Sequence, residues 1–220
     1  MGGVLALVVA GGAVALLSGG DDGILGDLPI PGVDEGPETP DFAFEVRRVV
    51  PQTTTETPGS KVKKDAADAG DDVKATLDAL YVGGFVEPDS WGDFGAIEEL
   101  FDKEALDRAE ADLDTLTLGE TAGDTYSFVQ PDKGVLVIDV LTDQGDKPVQ
   151  ALASALFVAT AEADDGTFTK VMSTGSYFLH RIDGDWKIYA YEVERSDKRT
   201  EAPGSESAST SGSPTDEATP

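Results

Sequence analysis

Residues 167–194 read TFTKVMSTGSYFLHRIDGDWKIYAYEVE. Two runs rich in β-branched and aromatic residues, Thr167–Arg181 and Trp186–Glu194, flank Asp183-Gly184. That dipeptide suits the two positive-φ positions of a tight hairpin turn, so the stretch predicts a β-hairpin. Asp164-Asp165-Gly166 repeats the signal one connection earlier. Upstream of it, Pro148–Ala163 has two readings. As a strand it puts Val149, Ala151, Ala153, Ala155, Phe157, Ala159 and Ala161 on one face. As a helix it lines up Val149, Leu152, Leu156 and Thr160, with Pro148 at a tolerated first position. The turn signals on its flank favour a long strand pairing with Thr167–Arg181. Tyr126–Val129 and Val135–Leu141 read as two further short strands, separated by Gln130-Pro131-Asp132-Lys133-Gly134.

Before Gly119 the period is helical. Lys61–Tyr81 places Val62, Ala66, Val73, Leu77, Leu80 and Tyr81 at helical spacing, and Gly83-Gly84 stops it. Asp93–Phe101 predicts a short helix, and Asp102 can cap another to about Leu116. Helices followed by a meander of strands define an α+β domain over residues 61–197. Long meander strands twist and curl, often with a bulge or a glycine kink, and Gly175 is well placed for one. A curled antiparallel sheet packed on N-terminal helices leaves a concavity, the default ligand site. The alanine stripe of 151–161 either lets a helix approach closely or leaves room in that concavity.

The flanks differ in kind. Residues 1–20 carry no charged side chain, and Val4–Leu17 is apolar except for Gly11 and Gly12. About 17 helical residues span roughly 25 Å, slightly short of a bilayer core, so a membrane anchor helix and a signal-peptide core both fit. Ala13-Val14-Ala15 suits a cleavage site. Leu17-Ser18-Gly19-Gly20 resembles a bacterial lipobox, but Gly20 stands where the lipidated cysteine must be. The acids that follow, Asp21 and Asp22, favour the N-terminus inside and the bulk of the chain outside the cytoplasm. Residues 21–60 read as a Pro/Gly-rich acidic tether with a short edge strand over Phe42–Val50, and 198–220 as a disordered tail.

Composition excludes several functions. The chain holds 43 acidic and 16 basic residues, a formal −27. Between Lys61 and Glu194 the counts are 29 and 11, so the domain itself carries −18. Such a field repels phosphate backbones, which argues against nucleic-acid binding. With no cysteine there is no disulfide, thiolate metal site or cysteine nucleophile.

The stretch 61–194 resembles the cone-shaped nuclear transport factor 2-like superfamily, and in particular membrane-tethered, exported members of high-GC Gram-positive bacteria. The residues that carry the likeness are Gly83-Gly84-Phe85-Val86-Glu87-Pro88-Asp89-Ser90-Trp91, then Leu116-Thr117-Leu118-Gly119, then Gly175-Ser176-Tyr177-Phe178-Leu179 leading to Asp183-Gly184-Asp185-Trp186-Lys187-Ile188-Tyr189. These motifs speak to fold. The resemblance implies a cone-like sheet and frequent dimerisation through it. It also implies that enzymes of the superfamily, isomerases and cyclases, work with a pocket Asp or a His–Asp arrangement.

The candidate residues are few. Tyr81, Trp91, Phe157 and Tyr177 are candidates to line a pocket, since Tyr and Trp offer an apolar body with a polar end. His180 is the sole histidine, close to a hairpin turn, and no partner for it is nameable from sequence. Asp139 lies between Ile138 and Val140 on the face of Val135, Val137 and Leu141. It either meets solvent or is a buried base. The Asp-rich turns lack the spacing of a calcium loop, and no other metal site or cofactor is expected. The expected function is a noncatalytic, membrane-tethered envelope module that binds a protein or a small apolar ligand, with a homodimer as a further expectation. The alternative is an exported cone-fold enzyme using Asp139 or His180.

Overall fold

A computed structural model of the chain describes residues 39–53 and 57–200. The expected anchor (1–20), the tether up to residue 38 and the tail from 201 lie outside the described residues. Among the described residues no helix is long and apolar enough to cross a membrane.

The fold is α+β, a five-stranded mixed sheet packed against helices. In chain order it runs β1 (Glu45–Gln52), α1 (Ser60–Tyr81), α2 (Lys103–Ala111), α3 (Leu113–Leu116), α4 (Ala122–Thr125), β2 (Phe128–Thr142), β3 (Pro148–Glu162), β4 (Phe168–Ile182) and β5 (Asp185–Thr200). Strand order in the sheet follows the chain. β2 to β5 form the antiparallel meander. β1 departs from the expected all-antiparallel sheet by pairing parallel to β2. The reason is the connection: the intervening helices carry the chain back across the sheet, so β2 runs in the same sense as β1. β5 also continues to Thr200, three residues past the boundary suggested by composition, because Asp197–Thr200 pair with Phe168–Val171.

Pro148–Glu162 is extended and pairs with β4 from Gln150↔His180 to Glu162↔Phe168. Its alanines and Phe157 face the core, where Ala153, Phe157, Ala159 and Ala161 are fully buried. The two short runs expected around Pro131 are instead one strand. Register shifts between Pro131 and Lys133, so Asp132 is an extra, bulged residue. A bulge accommodates a residue with no N–H to give to the ladder. The Asp132 carboxylate then accepts from Thr160 Oγ1 and Lys170 Nζ, each at 2.9 Å. The extra residue also flips the alternation: Val129 is inward before it, and Leu136, Ile138 and Val140 after it.

Gly175 does not mark a bulge; register runs unbroken through Gly175↔Val193, and the shift comes at Tyr189. A Cβ on Gly175 would sit 2.6 Å from the Glu192 carbonyl oxygen, so the glycine permits close approach of β5. The Asp183-Gly184 turn has φ of 53° and 107°, the positive pair that the dipeptide predicts.

The helical half is more broken than its periodicity suggests. α1 gives way to a π-turn at Val82–Val86 where Gly83-Gly84 lie. Asp93–Phe101 forms two 3-10 turns, which bend to bury both Ile97 and Phe101. The helix from Asp102 breaks at Asp112 into α2 and α3. There the Asp112 carboxylate receives Tyr191 Oη at 2.9 Å and Arg108 Nε at 3.2 Å, while the Arg108 guanidinium lies 4.4 Å over the Tyr191 ring.

Two turns carry a pH dependence. Asp143 Oδ1 accepts from the Lys147 and Gly145 amides at 2.9 and 2.7 Å, and these bonds hold its carboxyl below the ordinary 3.8. Asp165 is lowered in the same way by the Thr167 hydroxyl and amide. A lowered carboxyl contributes stability that is present above its unfolded value and lost as pH falls through the folded one. In the double variant Asp143→Ala/Asp165→Ala, the fall in stability below about pH 4 is expected to be shallower than in wild type. Urea midpoints measured from pH 5 down to pH 2.5 check this.

Candidate functional site

The last two turns of α1 place Leu77, Leu80 and Tyr81 inward over the alanine stripe of β3. Small residues on the strand leave depth, and aromatic rings fill it. Tyr81 meets Phe44 edge-on at 4.9 Å, stacks with Phe85 at 5.2 Å, and lies 5.1 Å from Phe157 and 6.3 Å from Tyr177. Tyr81, Phe85, Phe157 and Tyr177 are each 0% exposed, so no water-sized void adjoins them. Three of the four candidate pocket residues therefore come together, packed as core. Trp91 is apart from them, half-buried at the periphery of the core, with an indole N–H that is buried and unpartnered.

A chain of hydroxyls runs through this cluster. Tyr81 Oη lies 3.0 Å from both Ser173 Oγ and Tyr177 Oη. Ser173 is fully buried, and the bond to Tyr81 satisfies a hydroxyl that would otherwise be costly there. Burial raises the Tyr81 phenol, partly offset by its two hydrogen bonds. Tyr177 is raised well above its ordinary value, by burial first and then by Tyr81. Both rings are thus neutral donors and acceptors.

Asp139 and His180 sit on the other side of the sheet. Asp139 is half-buried on β2, where Gln52 Nε2 donates to its Oδ1 at 2.9 Å. His180, on β4, is separated from it by β3. Contrary to the expectation from sequence, His180 has a partner. Its Nε2 lies 2.7 Å from Asp102 Oδ2, and the Tyr189 ring is 4.9 Å away. The approach is an ion-pair contact out of line with the ring nitrogen, which has no well-aligned hydrogen bond. Asp102 stands at the N-cap of α2 without capping it, because its carboxylate is turned to His180. Its backbone N–H donates to Ile188 O at 2.8 Å, and Phe101 bridges to Ile188, which brings Asp102 to the edge of β5. Nothing local in the sequence signals this, since 78 residues separate the two.

The two side chains are only 30% and 15% exposed, so His180→Ala leaves the Asp102 carboxylate largely buried without its partner and is expected to destabilise by about 1–3 kcal/mol. His180→Ala and Asp139→Asn are expected to leave partner capture unchanged. Urea melts and pull-downs with each variant check both.

Among the described residues, other concavities are open surface grooves. One of about 660 Å³ lies between α1 and the hairpin turns, lined by Asp65, Asp68, Asp72, Asp143, Lys147 and Arg181. Among the described residues no three acidic or imidazole side chains converge in a way that could hold a metal ion. The chain matches no known protein-family model and no curated protein sequence.

Proposed function

We propose that the chain is a membrane-tethered accessory module of the cell envelope, working outside the cytoplasm, which binds a partner protein and catalyses nothing. A place in the nuclear transport factor 2-like superfamily, with the sheet curved as a cone, is supported by helices followed by a meander of 15- and 16-residue strands. Tethering is supported by the apolar run Val4–Leu17 and the acidic Pro/Gly spacer behind it.

The observation that carries the binding reading is the solvent-facing side of the sheet. Val135 pairs with Leu156 and Val158 with Met172, and Leu156 and Val158, two residues apart on β3, set the two pairs side by side on this face. Met172 is 42% exposed, and the other three are half-buried. A contiguous apolar patch rimmed by polar residues marks an interaction surface. Glu192 and Glu194 are exposed on the neighbouring β5. Together with the net −27, they favour a partner presenting basic residues over a second copy with the same charge. The noncatalytic reading is supported by the separation of Asp139 and His180, which β3 keeps apart, and by the burial of His180 Nε2 against Asp102.

The test uses full-length protein cross-linked in membranes. Leu156→Asp/Met172→Asp is expected to lose at least about tenfold of the recovered partner, equivalent to about 1.4 kcal/mol, while the protein still fractionates with membranes and unfolds normally. Undiminished capture refutes the proposal. Concentration-dependent self-association that the variant abolishes puts a second copy on this face instead.

A further inference from the structure

The aromatic core described above is closed on one side by the arm that precedes α1. Phe42 meets Phe44 edge-on at 5.0 Å and Phe157 at 5.2 Å, while Phe44 meets Tyr81 at 4.9 Å. Phe44 is 2% exposed and Phe42 half-buried. On β2 they lie over Gly134, where a Cβ would come within 2.7 Å of the Phe42 ring and 3.1 Å of Phe44. The glycine leaves the space that the two rings occupy. The Phe44 amide donates to Asp78 Oδ1 at 2.8 Å, and Asp78 is also paired with Lys74.

The rest of the arm has a shorter ladder than any other strand, and Val46 and Val49 alone of its side chains pack against the core, Val49 over Gly70 of α1. β1 has eight residues against 15 or 16 in the others and is hydrogen-bonded to β2 alone. Its pairing is parallel, the less stable arrangement per residue. A register shift interrupts it between Val46 and Arg48, and Pro51 has no N–H to contribute. Glu45, Arg47, Arg48 and Gln52 are exposed. The meander of β2 to β5 keeps its own ladders without it.

We infer that the arm from Phe42 to Gln52 is a displaceable plug, and that the space left by Phe42 and Phe44 binds an uncharged aromatic molecule bearing an N–H or O–H donor. The ring edges and faces of Tyr81 and Phe157 that now hold Phe44 and Phe42 hold its aromatic body. The Asp78 carboxylate, released from the Phe44 amide, accepts from its donor. The same carboxylate, in a domain of net −18, disfavours an anionic ligand. Binding draws on the population in which the arm is detached, so the apparent affinity is reduced by the rarity of that state. This site is separate from the sheet face proposed above for a protein partner, and either proposal can fail alone.

N-Phenyl-1-naphthylamine is a suitable probe, being neutral and aromatic with one N–H. Full-length Phe42→Ala/Phe44→Ala is expected to bind it with 1:1 stoichiometry at least tenfold more tightly than wild type, read by fluorescence. The cysteine-free chain allows a lock: Val50 and Asp139 are register partners, and oxidised Val50→Cys/Asp139→Cys should lose the wild-type binding and regain it on reduction. Hydrogen exchange on wild type should show the β1 amides opening together at least tenfold faster than those of β3. Tighter probe binding by the folded double variant, together with wild-type binding that the oxidised lock suppresses, supports the plug. A folded double variant that binds no better than wild type, or binding that persists in the oxidised lock, overturns it. Should the double variant not fold, exchange decides: β1 amides no faster than those of β3 overturn the inference.

Discussion

Tyr81→Ala is expected to lower the free energy of unfolding by about 3–5 kcal/mol, a large part of the roughly 5–15 kcal/mol available to a domain of this size. Two losses add. The ring is fully buried against Phe44, Phe85, Phe157 and Tyr177, so its removal leaves a cavity walled by rings that belong to both layers of the fold. The hydroxyl is the centre of the buried chain, so Ser173 Oγ and Tyr177 Oη lose their common partner. Tyr81→Phe separates the two losses, since it keeps the packing and orphans only the hydroxyls, at about 1–3 kcal/mol. Urea unfolding followed by tryptophan fluorescence measures both. A cost below about 1.5 kcal/mol for the alanine variant would mean that the core can collapse around the missing ring, against the tight aromatic packing described.

Gly175→Ala is the second large effect, and its sign is what makes it informative. In an unconstrained position this change stabilises by about 0.4–1 kcal/mol, because alanine has fewer unfolded conformations to lose. At Gly175 the new methyl meets Glu192 O and Val193 Cγ2 at 2.6 Å and Val193 Cα at 2.9 Å. Two of those atoms are backbone, so β5 itself must move. The expected result is destabilisation by about 1–3 kcal/mol, with valine worse. Gly123 is the control, since a Cβ there meets nothing within 4 Å. Thermal unfolding of Gly175→Ala and Gly123→Ala side by side checks the prediction. A neutral Gly175→Ala would mean that the two strands are not held this closely.

Much of the meander was legible because turns and alternation are local properties. Asp183-Gly184 marks its hairpin by the φ values those two residues tolerate, and the alanine stripe of β3 shows its inward face at a spacing of two. The flanking turn signals and the strands that follow settled Pro148–Ala163 where periodicity alone could not. The helical half was less legible. Asp112 ends α2 in a run that looks continuous, in the place where Tyr191 and Arg108, one on a distant strand, converge on its carboxylate. Pro131 looked like a strand break and became a bulge, because β3 on one side supplies a ladder long enough to carry the strand across one unpaired residue.

For the candidate site the division is sharper. Sequence by itself determined the acidic charge, the lack of thiols, the single histidine, and that Asp139 shares a face with Val135, Val137 and Leu141. Those are matters of composition and of a two-residue period. Only the tertiary structure decided that this face meets solvent, that Asp102 reaches His180, that Tyr81, Ser173 and Tyr177 join their hydroxyls, and that Phe42 and Phe44 close the aromatic core. Each depends on which elements stack on which. A side chain's periodicity names its face but not what covers it, and contacts between residues far apart in the chain form only when the sheet and helices dock, leaving no local pattern to read.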